Sequence, residues 1–235
     1  RRMLTLRAGG KGTQLESFGE LGAHTPDSGP TWAVGPDLDG DGARDVALIA
    51  RTRAEGKEAG LALEVRSGRT AALLRAAVAL PGQPRALTWI GDIDGDRVPE
   101  LALGDPSTRE VWTLSGASGQ ELWRNALGLP PRPVVRLQNV GDRTGDGFDD
   151  LLVDETGEVR QRAIWISGRD GACFKDPLGS GGVFTAVSDL DGDGRGDLVE
   201  EQGIVDGHPG LGFELHASIG TFGWRELNYP DMWPD

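Results

Sequence analysis

Short apolar runs bounded by glycine and aspartate set the pattern of this chain. Four of them stand out: Val46-Ala-Leu-Ile49, Leu101-Ala-Leu103, Leu151-Leu-Val153 and Leu198-Val199. Runs of this length between turn residues read as buried strands, not helices. A nine-residue acidic segment ends just before each run, and a lone apolar residue stands five positions ahead of each segment: Trp32, Leu87, Leu137 and Phe184. Each unit therefore begins with a strand, an acidic loop and a second strand.

The acidic segments align without gaps at Asp37–Asp45, Asp92–Glu100, Asp142–Asp150 and Asp189–Asp197, and their first residues are 55, 50 and 47 positions apart. A second pattern recurs between them. Leu63-Glu-Val-Arg-Ser-Gly68, Val111-Trp-Thr-Leu-Ser-Gly116 and Ala163-Ile-Trp-Ile-Ser-Gly168 each read as a strand entering a turn at Ser-Gly. The returning strand carries a large apolar residue followed by a base: Leu74-Arg75, Trp123-Arg124 and Phe174-Lys175. Fainter copies stand at both ends of the chain. A period near fifty residues with four strands per unit is that of a propeller blade.

The expected fold is an all-β β-propeller spanning residues 1–235. It would have four four-stranded blades, at 31–78, 86–127, 134–177 and 183–227, and an orphan outer hairpin at 3–18 as an N-terminal half blade. A fragment of a larger ring is the simplest reading, and a small ring of four or five blades is the rival. The 37 glycines and 14 prolines suit the many tight turns such a fold needs.

Inside each loop, positions 1, 3, 5 and 9 carry oxygen-donor side chains, and position 7 offers its backbone carbonyl. The candidate ligands are Asp37, Asp39, Asp41, Ala43 and Asp45 in the first loop, and Asp92, Asp94, Asp96, Val98 and Glu100 in the second. Asp142, Thr144, Asp146, Phe148 and Asp150 form the third set, and Asp189, Asp191, Asp193, Arg195 and Asp197 the fourth. Three or four carboxylates a few ångströms apart repel one another by several kcal/mol at an effective dielectric near 20, so a cation is expected among them. Calcium takes six to eight oxygens, whereas magnesium prefers fewer protein ligands and more water. Up to four calcium ions are expected, one per loop. An EF-hand is excluded, because its twelfth position requires glutamate and three of these loops place Leu48, Leu103 and Val153 there. Thr144 should weaken the third site, and Arg97, where the other loops have glycine, should strain the second if that residue needs positive φ.

Asp-x-Asp-x-Asp-Gly-x-x-Asp loops repeated about every fifty residues resemble the FG-GAP (VCBS-type) repeat of integrin α-subunit propellers and of many bacterial secreted proteins. The resemblance implies a β-propeller with calcium held between the first two strands of a blade. This chain departs from the pattern at Thr144, Arg97 and Glu100, and it lacks a clear Phe-Gly…Gly-Ala-Pro signature.

A net charge of −13 argues against a nucleic-acid partner. No apolar run approaches the roughly 20 residues of a membrane span. Cys173 stands alone and reads as a buried small hydrophobe. His24, His208 and His216 share no metal-ligand spacing, and neither a nucleophile elbow nor a phosphate loop is present, so no enzymatic role is expected. Of seven tryptophans, Trp32, Trp123 and Trp224 recur in register and read as blade packing. Trp89, Trp112, Trp165 and Trp233 do not recur; they read as core, with stacking on a sugar ring as the alternative. The functions that fit are an extracellular or cell-surface adhesion module with a protein ligand, a carbohydrate-binding propeller with a glycan ligand, or a spacer that binds calcium alone. Other domains of a longer parent chain are expected alongside.

Overall fold

The structure is a computed structural model. It describes residues 3–7, 14–20, 31–52, 60–127, 134–155, 162–175, 183–187, 197–202, 212–219 and 223–226. Eighteen strands run along them in chain order, and no helix occurs among the described residues. A two-stranded ribbon, β1 (Met3–Arg7) and β2 (Gln14–Glu20), comes first. Four four-stranded sheets follow. The first contains β3 (Trp32–Val34), β4 (Val46–Arg51), β5 (Leu61–Arg66) and β6 (Val78–Leu80). The second contains β7 (Ala86–Ile90), β8 (Glu100–Asp105), β9 (Glu110–Leu114) and β10 (Glu121–Ala126). The third contains β11 (Val134–Asn139), β12 (Leu151–Glu155), β13 (Arg162–Ile166) and β14 (Cys173–Phe174). The fourth contains β15 (Val183–Val187), β16 (Asp197–Gln202), β17 (Gly212–Ile219) and β18 (Gly223–Glu226). Each sheet is an antiparallel meander in which chain neighbours are also sheet neighbours. No helix among the described residues is long and apolar enough to cross a membrane.

The chain divides into two compact units, residues 1–137 and 138–235. In the first, β4 is buried from Val46 to Ala50 and β8 from Glu100 to Asp105. Both faces of β4 are covered, which is why its sequence reads as a continuous apolar run instead of an alternating one. Ala47 and Ile49 join Leu63, Leu87, Leu103 and Trp112 in one core, while Val46, Leu48 and Ala50 form a second cluster. Trp89 links the first two sheets: its Nε1 donates to the Ala33 carbonyl at 3.3 Å. Its indole lies on Gly35, where any β-carbon would overlap the ring.

Burial settles the reading of most tryptophans. Trp89, Trp112 and Trp165 are buried, as the core reading held. Trp32, expected to pack, is instead 39% exposed. Ala33 is the residue of β3 packed against the core, so its neighbours Trp32 and Val34 lie on the opposite side of the strand. Cys173 also departs from expectation, being exposed on the two-residue strand β14. Leu73 makes only an isolated bridge to Arg66, and the outer strand of the first sheet forms further on, at Val78–Leu80.

In the second unit, Val140, Leu152, Trp165, Phe184 and Leu198 form the core. The Trp165 and Phe184 rings meet at 5.8 Å and a tilt of 52°, a favoured geometry for aromatic pairs. Gln138 ties the third sheet to the fourth: its Nε2 donates to the Phe184 carbonyl and its Oε1 accepts from the Ala186 N–H.

Candidate metal centres

The acidic loops connect the first and second strands of their sheets. Two backbone bonds close the neck of the first loop, from the Gly35 N–H to the Asp45 carbonyl (2.8 Å) and from the Asp45 N–H to the Pro36 carbonyl (3.0 Å). Val140, Asp150 and Gly141 close the third in the same way. The first aspartate then organises the turn. Asp37 accepts from the N–H groups of Gly40, Asp41 and Gly42, Asp92 from Gly95 and Arg97, and Asp142 from Gly145, Asp146 and Gly147. These are Asx-type turns, in which an aspartate side chain replaces backbone partners. The backbone donors, the Gly42 N–H foremost, hold the Asp37 carboxyl below its ordinary pKa. The seventh residues Ala43, Val98 and Phe148 each donate an N–H to the fifth-position aspartate.

The sixth residue is left-handed in all three described loops: Gly42 at φ 82°, Arg97 at 73° and Gly147 at 91°. Only glycine adopts that region without penalty, and a side chain there costs roughly 1–2 kcal/mol. The conformational entropy glycine adds to the unfolded chain offsets about 0.4–1 kcal/mol of the relief. Arg97→Gly should therefore stabilise the protein by up to about 1 kcal/mol, read as a higher denaturation midpoint; a lower midpoint would contradict the strain.

The ninth position lies deepest. Asp45, Glu100 and Asp150 are fully buried although they are acids. Asp45 accepts from the Leu38 N–H (2.6 Å) and from the Gly68 N–H (3.0 Å), so it ties its loop to the Ser67-Gly68 turn of the following hairpin. Asp150 accepts from Arg143, Thr144 and Gly168 in the same manner. Gly68 and Gly168 are thus part of the site. Sequence reasoning had them only as turn openers, although their recurrence in phase with the loops was the available signal. Glu100 differs: one oxygen accepts from the Ile93 N–H, and Oε1 is buried with no partner.

Carboxylate oxygens of Asp92, Asp94, Asp96 and Glu100 lie within 4.8 Å of one another, as do those of Asp37, Asp39 and Asp45. Oxygens bound to one calcium ion at about 2.4 Å span that distance. The donor set is all oxygen, and the orphaned Oε1 of buried Glu100 is the kind of atom a cation would satisfy. Asp41 stands outside the first cluster; its Oδ2 lies 3.4 Å from Arg69 Nε. Burial, followed by the charges of Asp94, Asp92 and Asp96, pushes the Glu100 carboxyl up to about 7 against the pull of the Ile93 N–H. Burial also raises Asp150 despite three backbone donors.

The third loop, with Thr144 at position 3, brings no such group of carboxylates together among the described residues. There the Arg169 guanidinium stacks 5.6 Å over the Phe148 ring. Asp189, Asp191, Asp193 and Arg195 of the fourth loop lie outside the described residues, and Asp197 is buried at the start of β16.

No family model matches the chain, and no curated protein does. Among solved structures, the chain is similar to the exotype rhamnogalacturonan lyase YesX, at 16% identity and a TM-score of 0.45, over 83% of this chain and 46% of that one. It is also similar to the V. cholerae biofilm matrix protein Bap1, at 18% identity and a TM-score of 0.38, over 80% of this chain and 37% of that one. The chain therefore spans less than half the length of either structure.

Proposed function

We propose that this chain is a calcium-loaded β-propeller, or part of one, that serves as an extracellular protein-interaction module. The observation that carries the reading is the second loop, where four carboxylates converge and the deepest, Glu100, keeps a buried oxygen without a partner. Two features support blades: each four-stranded sheet is a meander, with an acidic loop between the first and second strands of the first three, and β3 of the first sheet lies beside β7 of the second. Loops one to four would hold calcium through the ligands named above, the first and second more tightly than the third. Extracellular fluids hold millimolar calcium, enough to fill weak sites with Kd near 10⁻⁴–10⁻³ M. A protein ligand is favoured over a glycan because three of the four tryptophans that stand out of register, Trp89, Trp112 and Trp165, are buried. Among the described residues only Trp32 is an exposed tryptophan, and one ring alone makes no repeated stacking platform.

Calorimetric titration with calcium and with magnesium, together with melts in calcium and in chelator, tests the metal assignment. Two sites filled to about 100 times Kd add roughly 5 kcal/mol. The melting temperature should therefore fall by roughly 10 °C or more on chelation. Equal melts in both conditions, or magnesium binding as tightly as calcium, would reject it. A glycan array run in calcium tests the ligand class: no sugar should be retained, and calcium-dependent binding of a defined sugar would move the assignment to a lectin.

A further inference from the structure

The base that follows the apolar residue in the outer hairpins behaves differently in the first two sheets. Arg124 is fully engaged: Nη2 lies 2.5 Å from Glu121, Nη1 lies 3.0 Å from Glu110, and the guanidinium stacks 4.5 Å over the Trp112 ring. Its counterpart Arg75 has all three guanidinium nitrogens buried and none hydrogen-bonded. Burial lowers the Arg75 pKa from its ordinary value, yet arginine stays charged at neutral pH. A buried cation without a partner is strongly unfavourable and calls for an anion.

Arg75 lines a cavity of about 220 Å³ within residues 1–137, walled by Leu38, Val65, Leu74, Val98 and Ala117, with Asp39 at one side. The turn opposite makes room for the guanidinium. A β-carbon on Gly119 would come 2.8 Å from Arg75 Nη1 and closer still to Val78.

We infer that this cavity is a carboxylate site in which Arg75 receives an acidic side chain of a partner protein. The volume suits one side chain, being smaller than the roughly 300–1,000 Å³ of typical small-molecule pockets. The largely aliphatic wall suits the short stem of Asp or Glu and offers little to the hydroxyls of a sugar acid. A single guanidinium with Asp39 nearby suits a monoanion better than a phosphate dianion. The arginine fork pairs a carboxylate through two parallel N–H···O bonds, and turning the end of this long side chain presents it to the cavity.

The test is calorimetric titration of the whole chain, in calcium and separately in chelator, with N-acetyl-glutamate N-methylamide as the probe. Its neutral glutamine isostere, galacturonate and inorganic phosphate serve as comparators. The glutamate probe should bind about tenfold or more tightly than the isostere, and Arg75→Met should erase that preference in a variant shown by circular dichroism to be folded. Arg75→Lys, which keeps the charge without the fork, should retain only a small part of it. Dependence on Arg75 in either buffer supports the site however the calcium test falls. Equal binding of glutamate and glutamine probes, or an unchanged preference in Arg75→Met, overturns the proposal. Tighter binding of galacturonate or phosphate overturns the assignment to an acidic protein side chain.

Discussion

Gly116→Ala is expected to cost about 3–5 kcal/mol, a large share of the 5–15 kcal/mol that holds a typical domain together. The reason is contact, not backbone conformation. A β-carbon on Gly116 would overlap the Pro99 carbonyl oxygen, which belongs to the acidic loop one residue before Glu100. Gly68 meets the Arg44 carbonyl in the same way in the first sheet. Because the colliding atom is backbone, a rotamer change cannot relieve it; either the turn or the loop must shift. The informative control is Gly95→Ala. Gly95 is left-handed at φ 83° but has open space where a β-carbon would go. The cost there is only the conformational penalty of roughly 1–2 kcal/mol, less about 0.4–1 kcal/mol gained through the stiffer unfolded chain. Denaturant unfolding of the two variants distinguishes the causes. If Gly116→Ala loses no more than Gly95→Ala, the close approach of turn and loop does not constrain the fold.

The second large effect is a dependence on pH that calcium should reverse. With no cation bound, the folded-state pKa of Glu100 is about 7, raised chiefly by burial from 4.5. A raised carboxyl pKa means that the folded state binds the proton more tightly than the unfolded chain. Metal-free stability should therefore be highest below pH 4.5 as far as this group is concerned, and fall as pH rises towards 7, by about 3 kcal/mol in all. Glu100→Gln removes the charge and should flatten that slope, leaving the metal-free variant more stable than the parent at pH 8. In saturating calcium the order should invert, because the variant has lost a ligand while the parent's carboxylate is neutralised by the ion. Melts of both proteins across pH 5–8, with calcium and with chelator, provide the readout. Identical pH slopes for parent and variant in chelator would remove Glu100 as the source.

Much of the fold was legible because the repeat writes it four times. The runs after each loop are apolar throughout since strands such as β4 and β8 are covered on both faces, and the acids between them could only be loops. The Ser-Gly turns were legible for the same reason, being in phase with the loops. What spacing could not convey was contact between units of the pattern. Trp89 looked irregular in register because its role is set by Gly35 on a neighbouring sheet, some fifty residues away. Asp41 looked equivalent to its counterparts, yet its Oδ2 lies 3.4 Å from Arg69 Nε, a residue that follows the Ser-Gly turn as Arg169 does and that Ala117 replaces in the second copy. The difference between Arg75 and Arg124 was equally hidden: both follow an apolar residue, but only Arg124 has Glu110 and Glu121 within reach. Even the buried acid at position 9 was visible only as one more ligand, and its second task, accepting the Gly68 N–H, emerges from the folded turn.

That bond between Asp45 and Gly68 bears on how quickly the protein folds. Every group of the first site lies between Asp37 and Gly68, within the span of a single meander. Such a site is complete once three strands have paired, before any sheet has stacked on another. Contacts this local in sequence form early, since little loop-closure entropy opposes them. A cation captured at that stage stabilises the folding transition state as well as the native state, so calcium should steepen the approach to the folded form and not merely delay its loss. If calcium fills the first two loops as proposed, the first and second sheets each become a nucleus, and that part of the chain would organise one repeat at a time.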